Sequence, residues 1–127
     1  MTRLIQRHIS RESKEKKMES KKNITNDIVT EYINQFYRPK TEEIAKLREE
    51  AEAEHVPIIL RETEQFLATM LTIIKPKKIL EIGCAVGYSS MFFAAQSDAE
   101  IVTVEKDPDV FETASRNILR MGYQPRI

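Results

Sequence analysis

The chain has 127 residues, a formal net charge of zero and an apolar fraction of 41%. That is enough for one domain core and is not the composition of a disordered, collagen-like or disulfide-stapled chain. No apolar run approaches the ~18 residues of a membrane-spanning helix, the N-terminus lacks the apolar core of a secretory signal, and the single cysteine, Cys84, excludes an internal disulfide framework and fits a reducing cytoplasm.

The neutral total hides an asymmetry. Residues 1–22 carry eight Lys/Arg against three Glu, and the rest carry twelve against seventeen acids. A basic arm on an acidic body can touch nucleic acid. The stretch "RESKEKKMESKK" has almost nothing to bury, so a solvated, disordered tail over 1–22 is the simpler expectation. Met18 is a candidate start, which would make the first seventeen residues an extension.

Residues 23–76 read as N-terminal helices. "TNDIVTEYINQFYR" puts Ile28, Val29, Tyr32, Ile33, Phe36 and Tyr37 on one stripe, with Thr25 or Asn26 as cap and Pro39 as terminator. "TEEIAKLREEAEAEHV" is a charged helix with a thin seam of Ile44, Leu47 and Ala51. Such a helix is expected to be mostly exposed or to lie against a partner, and the run "REEAEAE" reads as a solvated face. Pro57 breaks it. "LRETEQFLATMLTIIK" is a third helix, with Phe66, Leu67, Met70, Leu71 and Ile74 predicted inward and Pro76 as its close. These helices either only cover the sheet or bury the stripe of residues 28–37 against a partner.

Residues 77–127 change period. "KILEI" is short, apolar and bounded by Pro76 and Gly83, the pattern of a buried strand. "YSSMFFAAQS" reads as a helix, in which Met91, Phe92 and Phe93 are core. "EIVTVEKD" is a second strand. "PDVFETASRNILRMG" is a helix with Pro108 in its first turn and Gly122 as C-cap. Asp107 and Asp109 at its start are capping residues. The order β-α-β-α predicts an α/β fold with a parallel sheet covered by helices on both faces. Only two strands are evident, "PRI" being the candidate start of a third, so the chain is expected to be the N-terminal, truncated part of a longer domain.

The chemistry lies in "KKILEIGCAVGYSS". Two of the three glycines in the chain, Gly83 and Gly87, stand where the first strand turns into a helix. Glycines let the backbone turn sharply and a ligand come close, and the helix then aims its N-terminal N–H groups at that ligand. Glu105, at the end of the second strand, can accept both hydrogen bonds of a ribose diol. A dinucleotide turn would require G-x-G-x-x-G, and here Ala85 and Tyr88 fill the second and third places. Glu81 at the mouth of the turn would repel a pyrophosphate and suits a cationic methionyl group. The E-x-G-x-x-x-G arrangement therefore points to S-adenosylmethionine, with NAD the competing ligand.

"ILEIGCAVGYSS" followed by "IVTVEKDP" resembles class I S-adenosylmethionine-dependent O-methyltransferases of the catechol and caffeoyl-CoA type, including their bacterial tRNA 5-hydroxyuridine methyltransferase relatives. The likeness runs back through "PIILRETEQFLATMLTIIKPKK". It implies a Rossmann-like methyltransferase fold, with Glu81 and Gly83 beside the methionyl portion, Ala85 in place of a middle glycine, and Gly87 completing the turn. It further implies that Ser89 contacts the methionyl carboxylate, that Glu105 holds the ribose with Lys106 beside the adenine, and that Ile59 and Thr63 line the methionyl end. Tyr88 is expected to pack near the cofactor. The family's metal-binding acids and any catalytic lysine follow the second helix, beyond Ile127. No residue here is therefore expected as catalytic or as a ligand of a divalent metal such as Mg, and the chain alone is expected not to turn over.

Cys84 at a helix start is open to a nucleophilic reading. His8 and His55 are not placed to assist it, so a structural, small-residue role is expected. The resulting reading is an O-methyltransferase acting on a catechol-like small molecule or on 5-hydroxyuridine in tRNA, a cytoplasmic homodimer with no membrane partner. The basic arm leans toward RNA, although it has no aromatic residue for base stacking. The alternative is a non-catalytic scaffold or dimerisation module retaining the cofactor fold.

Overall fold

The computed structural model describes residues 27–127. The basic arm of residues 1–22 and the Thr25/Asn26 cap lie outside the described residues. By internal packing the chain divides into two units, Met1–Tyr32 and Ile33–Ile127. Of the first unit, residues 27–32 are described; they are helical, and Ile28, Val29 and Tyr32 of the expected stripe are exposed.

The elements follow the predicted order. Helix α1 spans Asp27–Phe36, α2 Glu42–Ala53 and α3 Arg61–Ile74. Strand β1 (Lys78–Ile82) leads into α4 (Tyr88–Gln96), and β2 (Glu100–Val104) into α5 (Pro108–Arg120). The strands run parallel, in register from Lys78 opposite Glu100 to Ile82 opposite Val104.

Local chemistry sets most boundaries. Thr41 caps α2 by accepting from Ile44 N at 3.2 Å, and Asp107 caps α5 by accepting from Asp109 N and Val110 N. Each cap satisfies N–H groups that the first helical turn leaves unpaired. Gly122 ends α5 in the left-handed region, with Tyr123 N donating to Ile118 O at 3.0 Å. This closes the helix in the manner of a Schellman turn.

The core of the second unit gathers Ile44 and Leu47 of α2, Tyr88 and Met91 of α4 and Ile118 of α5. Helix α2 is thus a core helix, contrary to the exposed helix its charge suggests. Its seam of Ile44, Leu47 and Ala51 is buried, and Arg48 is buried with it. In α3 the expected inward set is only partly covered. Leu67, Met70 and Leu71 are half-buried, Phe66 and Ile74 are exposed, and the buried side chain is Glu64. Helix periodicity marks which side is apolar; what lies opposite decides which residues are covered.

The sheet corrects two further expectations. "KILEI" is not buried on both faces. Ile79, Glu81, Ile101 and Thr103 share the face toward α4, whereas Leu80 and Ile82 are 68% and 82% exposed beside exposed Val102 and Val104. Among the described residues, helices thus cover one face of the sheet instead of two. "PRI" is turn and coil, and two strands are the full count among the described residues. Arg126 does lie against β2: its carbonyl accepts from Ile101 N at 2.8 Å. Its guanidinium donates to the carbonyls of Ala94, Ser97 and Ala99, closing the C-terminal end of α4.

Candidate functional site

The site forms where both parallel strands end and the chain turns from β1 into α4. Gly83 N donates to Val104 O at 2.8 Å, which ties the turn to the neighbouring strand. Gly87 N donates back to Cys84 O at 2.7 Å and tightens it. Three residues of the turn have positive φ: Gly83 at 84°, Ala85 at 48° and Gly87 at 83°. A Cβ placed on Gly83 would meet nothing within 4 Å, so open space faces the backbone there. One placed on Gly87 would meet Ala114 and Ile118 at 3.5 Å. Gly83 therefore leaves room for a ligand, and Gly87 seats the turn against α5. Asn117 of α5 adds a bond from Nδ2 to Val86 O at 3.0 Å.

Glu105 follows β2 directly and locks the two strand ends together. Its Oε2 accepts from Ala85 N at 3.3 Å, and its Oε1 accepts from Lys106 N at 2.9 Å and Asp107 N at 3.1 Å. These bonds favour the charged form, that from the Asp107 amide most, and hold the carboxyl below the usual carboxylate range. Glu81 points to the α4 side, where its Oε2 accepts from the Ser90 hydroxyl and from Thr103 Oγ1 at 2.7 Å. Cys84 is buried in the turn, and burial pushes its thiol pKa up. A protonated buried thiol fits the structural role and not that of a nucleophile.

Tyr88, Arg48 and Glu64 form a network behind the turn that sequence reasoning missed. All three are at most 2% exposed. Tyr88 Oη donates to Glu64 Oε2 at 2.5 Å and accepts from Arg48 Nε at 2.9 Å. Arg48 Nη2 donates to Glu64 Oε2 at 2.5 Å and to Ile59 O at 2.9 Å, and Nη1 to Glu52 Oε1 at 3.1 Å. Tyr37 Oη donates to Glu64 Oε1 at 2.9 Å. The guanidinium also lies 4.5 Å from the Tyr88 ring centroid, a cation–π distance. Burial, then the Glu64 bond, keeps the Tyr88 hydroxyl protonated far above its ordinary range. Burial alone would lower the Arg48 pKa, but the Glu64 and Tyr88 bonds outweigh it and raise it.

The structure thus joins Gly83, Ala85, Gly87 and Glu105 in or onto one bonded turn, while the Glu81 carboxylate is held on the α4 side by Ser90 and Thr103. Tyr88 lies behind it with its hydroxyl committed to Glu64, so its ring backs the site and does not offer an open face. Ser89 is half-buried on the first turn of α4, and Lys106 is exposed beside Glu105. Ile59 packs against the core cluster that includes Tyr88, and its carbonyl accepts from Arg48. Thr63 stands exposed on the first turn of α3. The signal for Arg48 and Glu64 was present but unread. Arg48 falls on the inward stripe of Ile44, Leu47 and Ala51, and Glu64 on the stripe of Leu67 and Leu71. Among the described residues no three His, Cys, Asp or Glu side chains cluster to hold a metal ion. None of the described helices is long and apolar enough to cross a membrane.

A family model described as "O-methyltransferase" matches residues 34–127. Among curated proteins, the O-methyltransferase imqG of Aspergillus flavus is 38% identical over 64 residues, which are 50% of this chain and 26% of that protein. Among solved structures, a candidate caffeoyl-CoA O-methyltransferase of Staphylococcus aureus superposes with a TM-score of 0.73 at 33% identity. That match covers 79% of this chain and 48% of the other. An O-methyltransferase of Bacillus cereus, solved in complex with S-adenosylhomocysteine, gives 0.64 at 26% identity over 78% of this chain and 47% of the other. The chain spans about half the length of these solved proteins and about a quarter of that of the curated one.

Proposed function

The chain belongs to the O-methyltransferase family, with a Rossmann-like methyltransferase fold, and from that premise we propose that its glycine turn binds S-adenosylmethionine. The carrying observation is the pairing of open space at Gly83 with a carboxylate, Glu105, bonded across the two strand ends to the same turn. The Bacillus cereus relative bound to S-adenosylhomocysteine supports the same reading.

In this reading Glu105 receives the ribose diol, pre-aimed by its backbone bonds to Ala85, Lys106 and Asp107. Lys106 flanks the adenine. Gly83 and Ser89 take the methionyl portion, with Ile59 and Thr63 at its end, and Glu81, held by Ser90 and Thr103, lies beside it on the α4 side. The cofactor supplies an electrophilic methyl group on a sulfonium. The protein supplies position and the exclusion of wrong geometries. Cys84, buried and protonated, takes no part.

We propose further that this chain is the cofactor half of a longer domain. The bare apolar face of Leu80, Ile82, Val102 and Val104 supports this, since parallel sheets are ordinarily covered on both sides. The acceptor in the whole protein is then the hydroxyl of a small catechol-like molecule. 5-Hydroxyuridine in tRNA is the second reading, favoured by the basic residues 1–22. No step is assigned to a metal.

Calorimetric titration of the 127-residue chain tests the ligand. S-adenosylhomocysteine should bind, NAD should not, and Glu105→Ala should abolish the binding. Preference for NAD, or wild-type affinity in Glu105→Ala, would overturn the reading.

A further inference from the structure

Filling the space between α2, α3 and α4 with apolar side chains would have been the simpler solution, because a buried ion pair rarely adds stability over a hydrophobic substitute. What a buried network does supply is orientation: each donor and acceptor fixes the direction of its partner. Here those directions converge on the proposed cofactor site. Tyr88 is the first residue of α4 and follows Gly87 in the turn. Its hydroxyl is gripped from two sides, by Arg48 Nε and Glu64 Oε2. The same guanidinium holds the carbonyl of Ile59, in the second segment that the family resemblance implies for the cofactor. Glu64 in turn is fixed by Tyr37 through its other oxygen.

We propose that Arg48 and Glu64 are positioning residues for the adenosyl-binding turn, acting through the Tyr88 hydroxyl. The inference rests on the S-adenosylmethionine reading above. It assigns the N-terminal helices a role in the affinity of a turn they do not form. Removing the Tyr88 hydroxyl leaves the ring in place but frees the start of α4, so the Gly83–Gly87 backbone samples arrangements in which its N–H groups and Glu105 no longer converge.

Cys84 provides a local reporter. It is the only thiol in the sequence and is buried within the turn, so its alkylation rate in the native protein measures opening of the turn. The test uses the 127-residue chain well below each variant's unfolding temperature, with iodoacetamide as alkylating probe and S-adenosylhomocysteine as titrated ligand. Tyr88→Phe should bind S-adenosylhomocysteine about tenfold more weakly, the scale of losing a hydrogen bond to a charged group. Its Cys84 should react severalfold faster. A change at Arg48 alone strands the buried Glu64 carboxylate, and one at Glu64 alone leaves buried Arg48 with only the partly exposed Glu52, so either risks unfolding and the paired variant Arg48→Met/Glu64→Leu is used. It should match Tyr88→Phe in both readouts, and adding Tyr88→Phe to it should change nothing further. Ile101→Val, a core change at a residue that shares no hydrogen bond with the network, should lower stability and leave affinity and thiol rate alone.

Wild-type affinity and thiol rate in both Tyr88→Phe and the paired variant would overturn the positioning role while leaving the ligand reading intact. So would an equal loss in Ile101→Val. A wild-type chain that does not bind S-adenosylhomocysteine would overturn the ligand reading and this inference with it.

Discussion

Ala85 occupies the most informative backbone position in the turn. Its φ of 48° lies in the left-handed region, between two glycines that are also positive. An L-residue there carries about 1–2 kcal/mol of steric penalty. Replacing it with glycine removes that penalty but gives the unfolded chain more freedom, at about 0.5–1 kcal/mol. The Ala85 methyl is only half-buried, so its loss costs a few tenths of a kcal/mol at about 25 cal/mol per Å². The balance predicts that Ala85→Gly stabilises by roughly 0.5 kcal/mol, a rise of about 2–4 °C in Tm for a domain of this size. Gly83→Ala and Gly87→Ala acquire the same penalty, offset in part by the freedom withdrawn from the unfolded chain, and should each lose roughly 0.5–1 kcal/mol. At Gly87 the cause is backbone strain and not collision, because the added Cβ would meet Ala114 and Ile118 at an ordinary 3.5 Å. Thermal unfolding of the three variants, followed by far-ultraviolet circular dichroism, gives the order. A lower Tm for Ala85→Gly, or wild-type values for both alanine variants, would refute the argument.

Glu64→Leu alone should cost about 3 kcal/mol, because buried Arg48 loses its buried counter-ion and keeps only the partly exposed Glu52, and Arg48→Met in the same chain should restore most of it; urea denaturation of the single and double variants measures the difference. Glu105 gives a pH dependence of definite sign. Its folded pKa is depressed below the ordinary 4.5, chiefly by the Asp107 amide. The stability it contributes is therefore present above pH 4.5 and is lost as pH falls through the depressed value. In Glu105→Gln that part of the acid slope should vanish, and an unchanged stability profile between pH 5 and 3 would show that the carboxylate bonds do not matter.

Much of the fold was legible because the signals that write it are local. Turn residues, caps and prolines act within a few positions of themselves. Pro57 separates α2 from α3, Pro76 separates α3 from β1, Asp107 starts α5, and Gly122 ends it as expected. The Gly83/Gly87 spacing with Glu81 and Glu105 likewise marks a ligand turn without reference to the rest of the chain, since each residue acts through backbone conformation or charge at a strand end.

Burial was not legible in the same way. Charge density made α2 read as a surface helix, yet Arg48 and Glu64 are among its and its neighbour's most buried side chains. Phe66, Ile74, Leu80 and Ile82, apolar and inward by pattern, are exposed. The reason is that a side chain's own chemistry sets what it would gain by burial, whereas the element that packs opposite sets whether burial occurs. A cation and an anion on two different helices become a core pair only once the third and fourth partners, Tyr37 and Tyr88, are brought from distant parts of the sequence to satisfy them. The sequence alone determined the turn and the ligand class proposed for it. Tertiary structure decided what holds that turn in place.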